Sequence, residues 1–130
     1  SGYDELNKII AGGNYGWPLY EGDHKKTNDD VNPNDYIMPE IDSGSDDVWA
    51  PAGLAYYDGS LYFGGLRGQT LYKADINNGT AQNLTRLFFK EYGRLRFTMI
   101  NDGNLYFSTS NTDGRGNPSN ADDQIIKLAL

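Results

Sequence analysis

A short phrase that occurs twice sets the strongest limit on how this chain folds. The sequence reads DGSLYF at 58–63 and DGNLYF at 102–107. An Asp-Gly pair between two apolar runs predicts a tight hairpin, because both residues tolerate the left-handed backbone that such a turn needs. Each phrase follows one apolar run and precedes another, at 70–75 and at 124–129. The chain therefore repeats a unit of at least three antiparallel strands.

The spacing of this unit predicts an all-β fold, a partial β-propeller of about two to three four-stranded blades. A solenoid would show helical spacing of apolar residues, and none is present. We expect residues 3–18 to form outer strands of one blade, residues 51–90 a complete blade and residues 93–130 three strands of the last blade. Residues 19–49 are predicted to form a long acidic loop. Because such an arc leaves sheet faces and edges uncovered, it is part of a larger propeller or completes itself by association.

The composition excludes several classes of function. With 18 acidic and 11 basic residues the chain has a net charge of −7, which argues against nucleic acid as a partner. The chain has no cysteine, which excludes thiolate metal sites, and no apolar run is long enough to span a membrane. Residues 1–60 contain 12 acidic and three basic side chains, whereas residues 61–130 contain six acidic and eight basic. We therefore expect any anion site in the second half.

Three arginines are candidates for such a site. Arg94 and Arg96 lie two positions apart on a predicted strand, so their side chains leave the same face of the sheet. Two guanidinium groups on one face repel each other unless an anion or carboxylates lie between them. Arg67, in the turn after the equivalent strand of the preceding unit, is placed to approach the same point. The pattern indicates either a site for a planar carboxylate or an arginine pair neutralised by nearby acidic side chains.

Evidence for a metal site is weaker. Asp4 and Glu5, followed by the segment at 14–17, offer hard oxygen ligands for calcium, although they are equally consistent with solvated carboxylates. Residues 30–35 are similar to the start of a calcium-binding loop, but the sequence lacks the glycine and the closing glutamate of an EF-hand, which is excluded. His24 is the only histidine and has no nucleophile beside it, so we expect a surface residue and no catalytic triad.

Four longer segments together resemble the soluble aldose sugar dehydrogenases of the glucose/sorbosone dehydrogenase family. They are YDELNKIIAGGNYGWP at 3–18, APAGLAYY at 50–57, LYFGGLRGQTLYKADI at 61–76 and GRLRFTMINDGNLYFSTSNTDGRGNPSNADDQIIKL at 93–128. The resemblance implies a six-bladed quinoprotein propeller, of which this chain is the C-terminal part. It covers nearly the whole chain apart from residues 19–45.

The resemblance also implies a cofactor and its ligands. The family binds pyrroloquinoline quinone, a tricarboxylate, through basic residues whose positions match Arg67, Arg94 and Arg96. It binds calcium at positions that match Glu5 and Tyr15. The histidine that acts as general base in the family lies on an earlier blade, so no catalytic residue is expected within this chain.

The resulting prediction is a C-terminal portion of a quinone-dependent aldose sugar dehydrogenase. In the intact protein hydride would pass from sugar C1 to the quinone, and an external electron acceptor would reoxidise the cofactor. The portion alone is expected to be inactive, and the family implies a periplasmic or secreted location. The alternative is a non-enzymatic propeller module that binds a protein or glycan through the acidic loop. Self-association of the chain is a further expectation.

Overall fold

The computed structural model describes residues 2–130, which divide into two compact units, the first ending at Val48 and the second spanning Trp49–Leu130. The first unit contains only short elements. Its strands pair antiparallel, β1 with β4 and β2 with β3. The elements are β1 (Glu5–Leu6), β2 (Tyr20–Glu21), β3 (His24–Lys25), a 3₁₀ turn (Pro33–Asp35) and β4 (Ile41–Asp42). The segment predicted as a loop at 19–49 thus includes three short strands.

The second unit consists of two antiparallel sheets. Sheet 1 has the order β5-β6-β7-β8, and sheet 2 has the order β11-β10-β9. Sheet 1 comprises β5 (Pro51–Tyr57), β6 (Ser60–Gly65), β7 (Thr70–Asn77) and β8 (Thr80–Leu87). Sheet 2 comprises β9 (Leu95–Asn101), β10 (Asn104–Thr109) and β11 (Ile125–Ala129). The predicted all-β fold is confirmed, and no helix among residues 2–130 is long and apolar enough to cross a membrane.

The two repeated phrases form two hairpins of identical register. Both turn residues of each Asp-Gly pair have positive φ, at 42° and 78° for Asp58 and Gly59 and at 48° and 69° for Asp102 and Gly103. This is the backbone of the turns that match strand twist, so the predicted hairpins are confirmed. In each hairpin the residue before the Asp-Gly turn pairs with the residue after it, Tyr57 with Ser60 and Asn101 with Asn104. Equivalent residues of the two phrases therefore occupy equivalent positions in the two sheets.

The core of the second unit lies between the two sheets. Glycine allows their backbones to approach closely, because a Cβ atom at Gly64 would lie 2.8 Å from the carbonyl oxygen of Leu95, and one at Gly53 would lie 2.8 Å from the amide nitrogen of Thr98. The buried cluster consists of Ala55, Tyr62 and Leu71 from sheet 1 and Leu95, Leu105 and Phe107 from sheet 2. Burial of these side chains is the main favourable contribution to the stability of this unit.

Candidate functional site

Arg94 precedes β9 and is held rigidly. Its Nε and Nη2 atoms donate to Oδ2 of Asp113 at 3.1 and 2.8 Å, and its Nη1 atom donates to the carbonyl oxygen of Leu66 at 3.2 Å. The side chain is only 11% exposed. Because each nitrogen of the guanidinium already has a partner, its plane and position are fixed before any ligand binds.

Arg96 shares the same carboxylate but faces solvent. Its Nε donates to Oγ of Ser110 at 2.9 Å and its Nη2 to Oδ2 of Asp113 at 3.1 Å. The side chain is 52% exposed, and among residues 2–130 its Nη1 atom has no hydrogen-bond partner. Arg96 therefore keeps donor capacity for a ligand that Arg94 lacks.

Asp113 is the residue that sequence reasoning missed. It lies in the long loop between β10 and β11, and its Oδ1 atom accepts a hydrogen bond from the backbone N–H of Arg115 at 2.9 Å. The pKa of Asp113 is lowered from 3.8 to about 2, mainly by hydrogen bonds from Arg94, although burial acts in the opposite direction. The carboxylate is thus ionised at neutral pH and separates the two guanidinium groups.

Two further acidic residues fix the loop that bears Asp113. Oδ1 of Asp123 accepts from the backbone N–H of Asn111 at 2.6 Å, and Oδ1 of Asp122 accepts from Nδ2 of the same asparagine at 2.9 Å. Oδ1 of Asn111 in turn accepts from the backbone N–H of Arg94 at 2.8 Å. A hydrogen bond from the backbone of Ser119 lowers the pKa of Asp122, as the Thr112 hydroxyl does for Asp123. The loop and the start of β9 therefore form one connected polar network.

Arg67 lies in the turn between β6 and β7, directly after Leu66. The carbonyl of Leu66 contacts Arg94, so the turn that carries Arg67 lies beside the arginine pair. The side chain of Arg67 is exposed and makes no ion pair or hydrogen bond within residues 2–130. Two arginines thus share one carboxylate, and the turn that bears Arg67 lies beside them. This excess of positive charge fits a ligand with several carboxylates.

The predicted calcium ligands lie in the first unit, and each has partners of its own. Oε1 of Glu5 accepts from the backbone N–H of Gly22 at 2.6 Å, and Oε2 accepts from Nδ2 of Asn7 at 2.7 Å. The hydroxyl of Tyr15 donates to the carbonyl of Lys8 at 2.9 Å and accepts from the N–H of Ile10 at 2.7 Å. Within residues 2–130 no group of three or more acidic, histidine or cysteine side chains is arranged to hold a metal ion.

One atom beside Glu5 does fit a cation. Oδ1 of Asn7 is buried and has no hydrogen-bond partner, while the same amide is oriented by its bond to Glu5. A buried acceptor without a partner is costly, and a bound cation would satisfy it. Glu5 with Asn7 therefore fits calcium, whereas the phenol of Tyr15 is already used by the backbone.

His24 lies on β3 and is exposed. Its ring stacks on the ring of Tyr3, with centroids 5.1 Å apart and an interplanar angle of 10°. The exposed ring agrees with the expectation of a surface residue.

Comparison with known proteins identifies the fold family. The sequence profile described as glucose/sorbosone dehydrogenase matches residues 1–125. The chain belongs to the glucose/sorbosone dehydrogenase family. The structure is similar to the pyrroloquinoline quinone-bound aldose sugar dehydrogenase of Streptomyces coelicolor, with 36% identity and a TM-score of 0.81 over 95% of this chain and 35% of that one. It is also similar to an oxidoreductase described as a glucose dehydrogenase from Thermus thermophilus, with 37% identity and a TM-score of 0.77 over 97% of this chain and 36% of that one.

These relatives confirm the family predicted from the sequence and the partial propeller. This member of the glucose/sorbosone dehydrogenase family spans about a third of the length of the solved structures that it matches. No curated protein matches the sequence. The activity of a whole dehydrogenase is therefore a proposal for this chain.

Proposed function

We propose that this chain supplies the arginine-lined part of the quinone pocket in a pyrroloquinoline quinone-dependent aldose sugar dehydrogenase. The proposal rests on one observation. Asp113 binds both Arg94 and Arg96, and the turn that bears Arg67 lies beside them. This cluster combines a preorganised geometry with more positive than negative charge, which is what a polycarboxylate ligand requires. The similarity to a quinone-bound aldose sugar dehydrogenase supports the same ligand.

The three arginines have different roles in this proposal. Arg96 and Arg67 donate to carboxylates of the quinone, because their guanidinium groups are exposed and keep free donors. Arg94 holds Asp113 and the adjoining turn in place and adds positive charge from below the surface. When bound, the quinone would supply the hydride-accepting chemistry for oxidation at sugar C1. The three arginines would place positive charge where negative charge develops.

We also propose calcium as a second cofactor, with Glu5 and Tyr15 as ligands. The buried and unpartnered Oδ1 atom of Asn7 supports a cation beside Glu5. Since the hydroxyl of Tyr15 is bonded to backbone groups, Tyr15 would contribute its carbonyl oxygen instead. Calcium prefers carboxylate, amide and carbonyl oxygens of this kind.

The remaining parts of the reaction lie outside these residues. The only histidine, His24, stacks on Tyr3 in the first unit. The proposal takes the general base, like the external electron acceptor, from elsewhere. The proposal includes a periplasmic or secreted location and an absence of sugar oxidation by the chain alone. The alternative of a binding module gains no support, because the relatives named above are described as dehydrogenases.

The arginine cluster is tested by titrating the chain with pyrroloquinoline quinone and following fluorescence quenching. Arg96→Ala is expected to weaken quinone binding by about tenfold or more, because a hydrogen bond between charged groups contributes about 1.5–3 kcal/mol. Arg86→Ala removes the same charge from β8 and serves as the matched control, with unchanged affinity expected. Equal affinities of the Arg96→Ala variant and the parent chain would show that the quinone does not bind here.

The calcium site is tested by thermal unfolding with added calcium. Calcium at about ten times its dissociation constant should raise Tm by several degrees, because it binds only the folded chain. Glu5→Gln should remove this rise, since the neutral amide is a poorer ligand, whereas Glu91→Gln in the second unit should retain it. A calcium-dependent Tm that persists in Glu5→Gln would exclude Glu5 as the ligand.

A further inference from the structure

Asn111 lies at the start of the loop between β10 and β11 and is enclosed by the chain although it is polar. The residue is only 5% exposed. Glycines lie close to it on two sides. A Cβ atom at Gly93 would clash with its Oδ1 atom, and one at Gly116 would lie 2.5 Å from its carbonyl oxygen. The connection before β9 and the loop after β10 therefore both pack closely around this one residue.

The amide of Asn111 has one orientation that satisfies its neighbours. Its Oδ1 atom accepts from the backbone N–H of Arg94, while its Nδ2 atom donates to the carbonyl oxygen of Tyr92 and to the carboxylate of Asp122, both at 2.9 Å. An aspartate has no donor for these two oxygens at neutral pH, and an alanine leaves the N–H of Arg94 and the carbonyl of Tyr92 without this partner. The position therefore requires a side chain that both donates and accepts.

The same asparagine connects the backbone of Arg94 to the loop that bears Asp113. The N–H of Arg94 donates to Oδ1 of Asn111 at 2.8 Å, and the carbonyl oxygen of Arg94 accepts from the N–H of Ser110 at 2.7 Å. Both backbone polar groups of this arginine are thus bonded to the first two residues of the loop. Asp113 follows two residues after Asn111 and accepts from the guanidinium group of Arg94. The geometry of this ion pair therefore depends on a residue that forms a hydrogen bond with neither charged group.

Arg96 is oriented from the same part of the loop. Its Nε atom donates to Oγ of Ser110, the neighbour of Asn111, and its Nη2 atom donates to Asp113. Both anchors of Arg96 therefore lie within two residues of the asparagine. A change in the path of residues 110–113 would move both anchors at once. Arg96 is also the exposed arginine that keeps donor capacity for a ligand.

We propose that Asn111 is a positioning residue, which fixes the path of the loop so that Ser110 and Asp113 hold Arg96 in place before a carboxylate ligand binds. It acts through these residues and donates nothing to the ligand, because its own amide is bonded within the chain. A group that is already oriented avoids the loss of side-chain entropy on binding. This inference deepens the proposed quinone site, and only its effect on affinity rests on that proposal.

Replacing Asn111 with alanine should disturb the arginine pair without removing any of its charges. The pKa of Asp113, about 2 in the parent chain, should rise towards 3.8, because its carboxylate loses the fixed approach of Arg94. The affinity for pyrroloquinoline quinone should fall by roughly three- to tenfold, which corresponds to ordering one long side chain on binding. Carboxyl chemical shifts measure the first effect, and fluorescence quenching measures the second.

Thr98→Val is the matched control for a purely structural effect. Oγ1 of Thr98 donates to the carbonyl oxygen of Tyr62 at 3.4 Å in the buried space between the sheets, so this variant also loses a buried hydrogen bond beside β9. It should lower Tm but leave the pKa of Asp113 and the quinone affinity unchanged. A rise of this pKa in Thr98→Val equal to that in Asn111→Ala would contradict a specific role for the asparagine.

Asp123→Asn provides a milder variant that tests the same proposal if Asn111→Ala does not fold. Oδ1 of Asp123 accepts from the backbone N–H of Asn111 at 2.6 Å, and a neutral amide accepts this hydrogen bond less strongly. A smaller rise in the pKa of Asp113 is expected. Loss of a negative charge does not by itself raise the pKa of another carboxyl group, so a rise reports a change in geometry.

The two readouts separate this inference from the proposed function. A pKa of Asp113 that stays at about 2 in both Asn111→Ala and Asp123→Asn overturns the positioning role. A raised pKa with unchanged quinone affinity overturns the claim that the position of Arg96 matters for the ligand. If the parent chain does not bind the quinone, the proposed function fails, and the pKa of Asp113 alone decides whether Asn111 positions the pair.

Discussion

Replacing Arg94 with alanine is expected to lower the free energy of unfolding by about 3 kcal/mol, whereas Arg96→Ala should cost less than about 1 kcal/mol. The two arginines lie two positions apart and share one carboxylate, but only the first is buried. Loss of Arg94 leaves Asp113 with a weaker partner, removes the hydrogen bond to Leu66 and opens space beside β9. Urea unfolding of both variants measures the difference.

The pKa of Asp113 provides a readout that a change in packing alone would not move. Because hydrogen bonds from Arg94 are the first cause of its low pKa, Arg94→Ala should raise this pKa towards the ordinary value of 3.8. A carboxyl group whose folded pKa is lowered contributes stability above its unfolded pKa and loses it as the pH falls. This contribution should therefore fade between pH 3.8 and about 2 in the parent chain.

The same titration distinguishes the two arginines. Carboxyl chemical shifts from NMR follow Asp113 directly, and Arg96→Ala should raise its pKa by less than Arg94→Ala does, because Arg94 is the principal cause of the low value. Equal pKa values of Asp113 in the parent chain and in Arg94→Ala would contradict the assignment of Arg94 as its principal partner.

Replacing Phe107 with alanine is expected to cost about 4 kcal/mol, the typical loss for a fully buried phenyl ring. Phe107 ends the second repeated phrase and is completely buried, with its ring 5.9 Å from that of Phe88 and 5.7 Å from that of Tyr92. Its removal leaves a cavity between the two sheets and loses both ring contacts. Thermal or urea unfolding should show the second unit melting far earlier.

Phe89 provides the matched control for this experiment. It is the neighbour of a ring that contacts Phe107, but it is exposed, with Arg86 and Lys90 near its ring. Phe89→Ala should change stability by no more than about 0.5 kcal/mol. Comparable losses in the two variants would mean that the space between the sheets is not the core of this unit.

The sequence predicted the second unit well because its signals are local. An Asp-Gly turn between alternating apolar strands determines a hairpin without reference to distant residues, and both hairpins form as expected. The arginine pair could also be located, since residues two apart on a strand share a face. Its neutralising partner could not, because Asp113 reaches the pair from a loop whose path depends on contacts of Asn111 with Asp122 and Asp123.

The first unit was harder to predict for the opposite reason. Its strands are two residues long, and β1 pairs with β4 across a wide separation in sequence. Within residues 3–18, where outer strands were predicted, only Glu5–Leu6 forms a strand. Short ladders of this kind have no periodic pattern, and side-chain hydrogen bonds such as those from Gly22 to Glu5 determine where they form.

The connection between the second and third strands is the point at which the two sheets differ most. In sheet 1 this connection is the short turn at 66–69, while in sheet 2 it is the long loop at 110–124. Both hairpins keep their register regardless, because each is closed by its own turn. The repeated unit thus tolerates connections of very different length at this joint. The longer one carries Asp113 back to the arginines beside β9, so the sheet with the longer connection supplies the counter-charge for its own first strand.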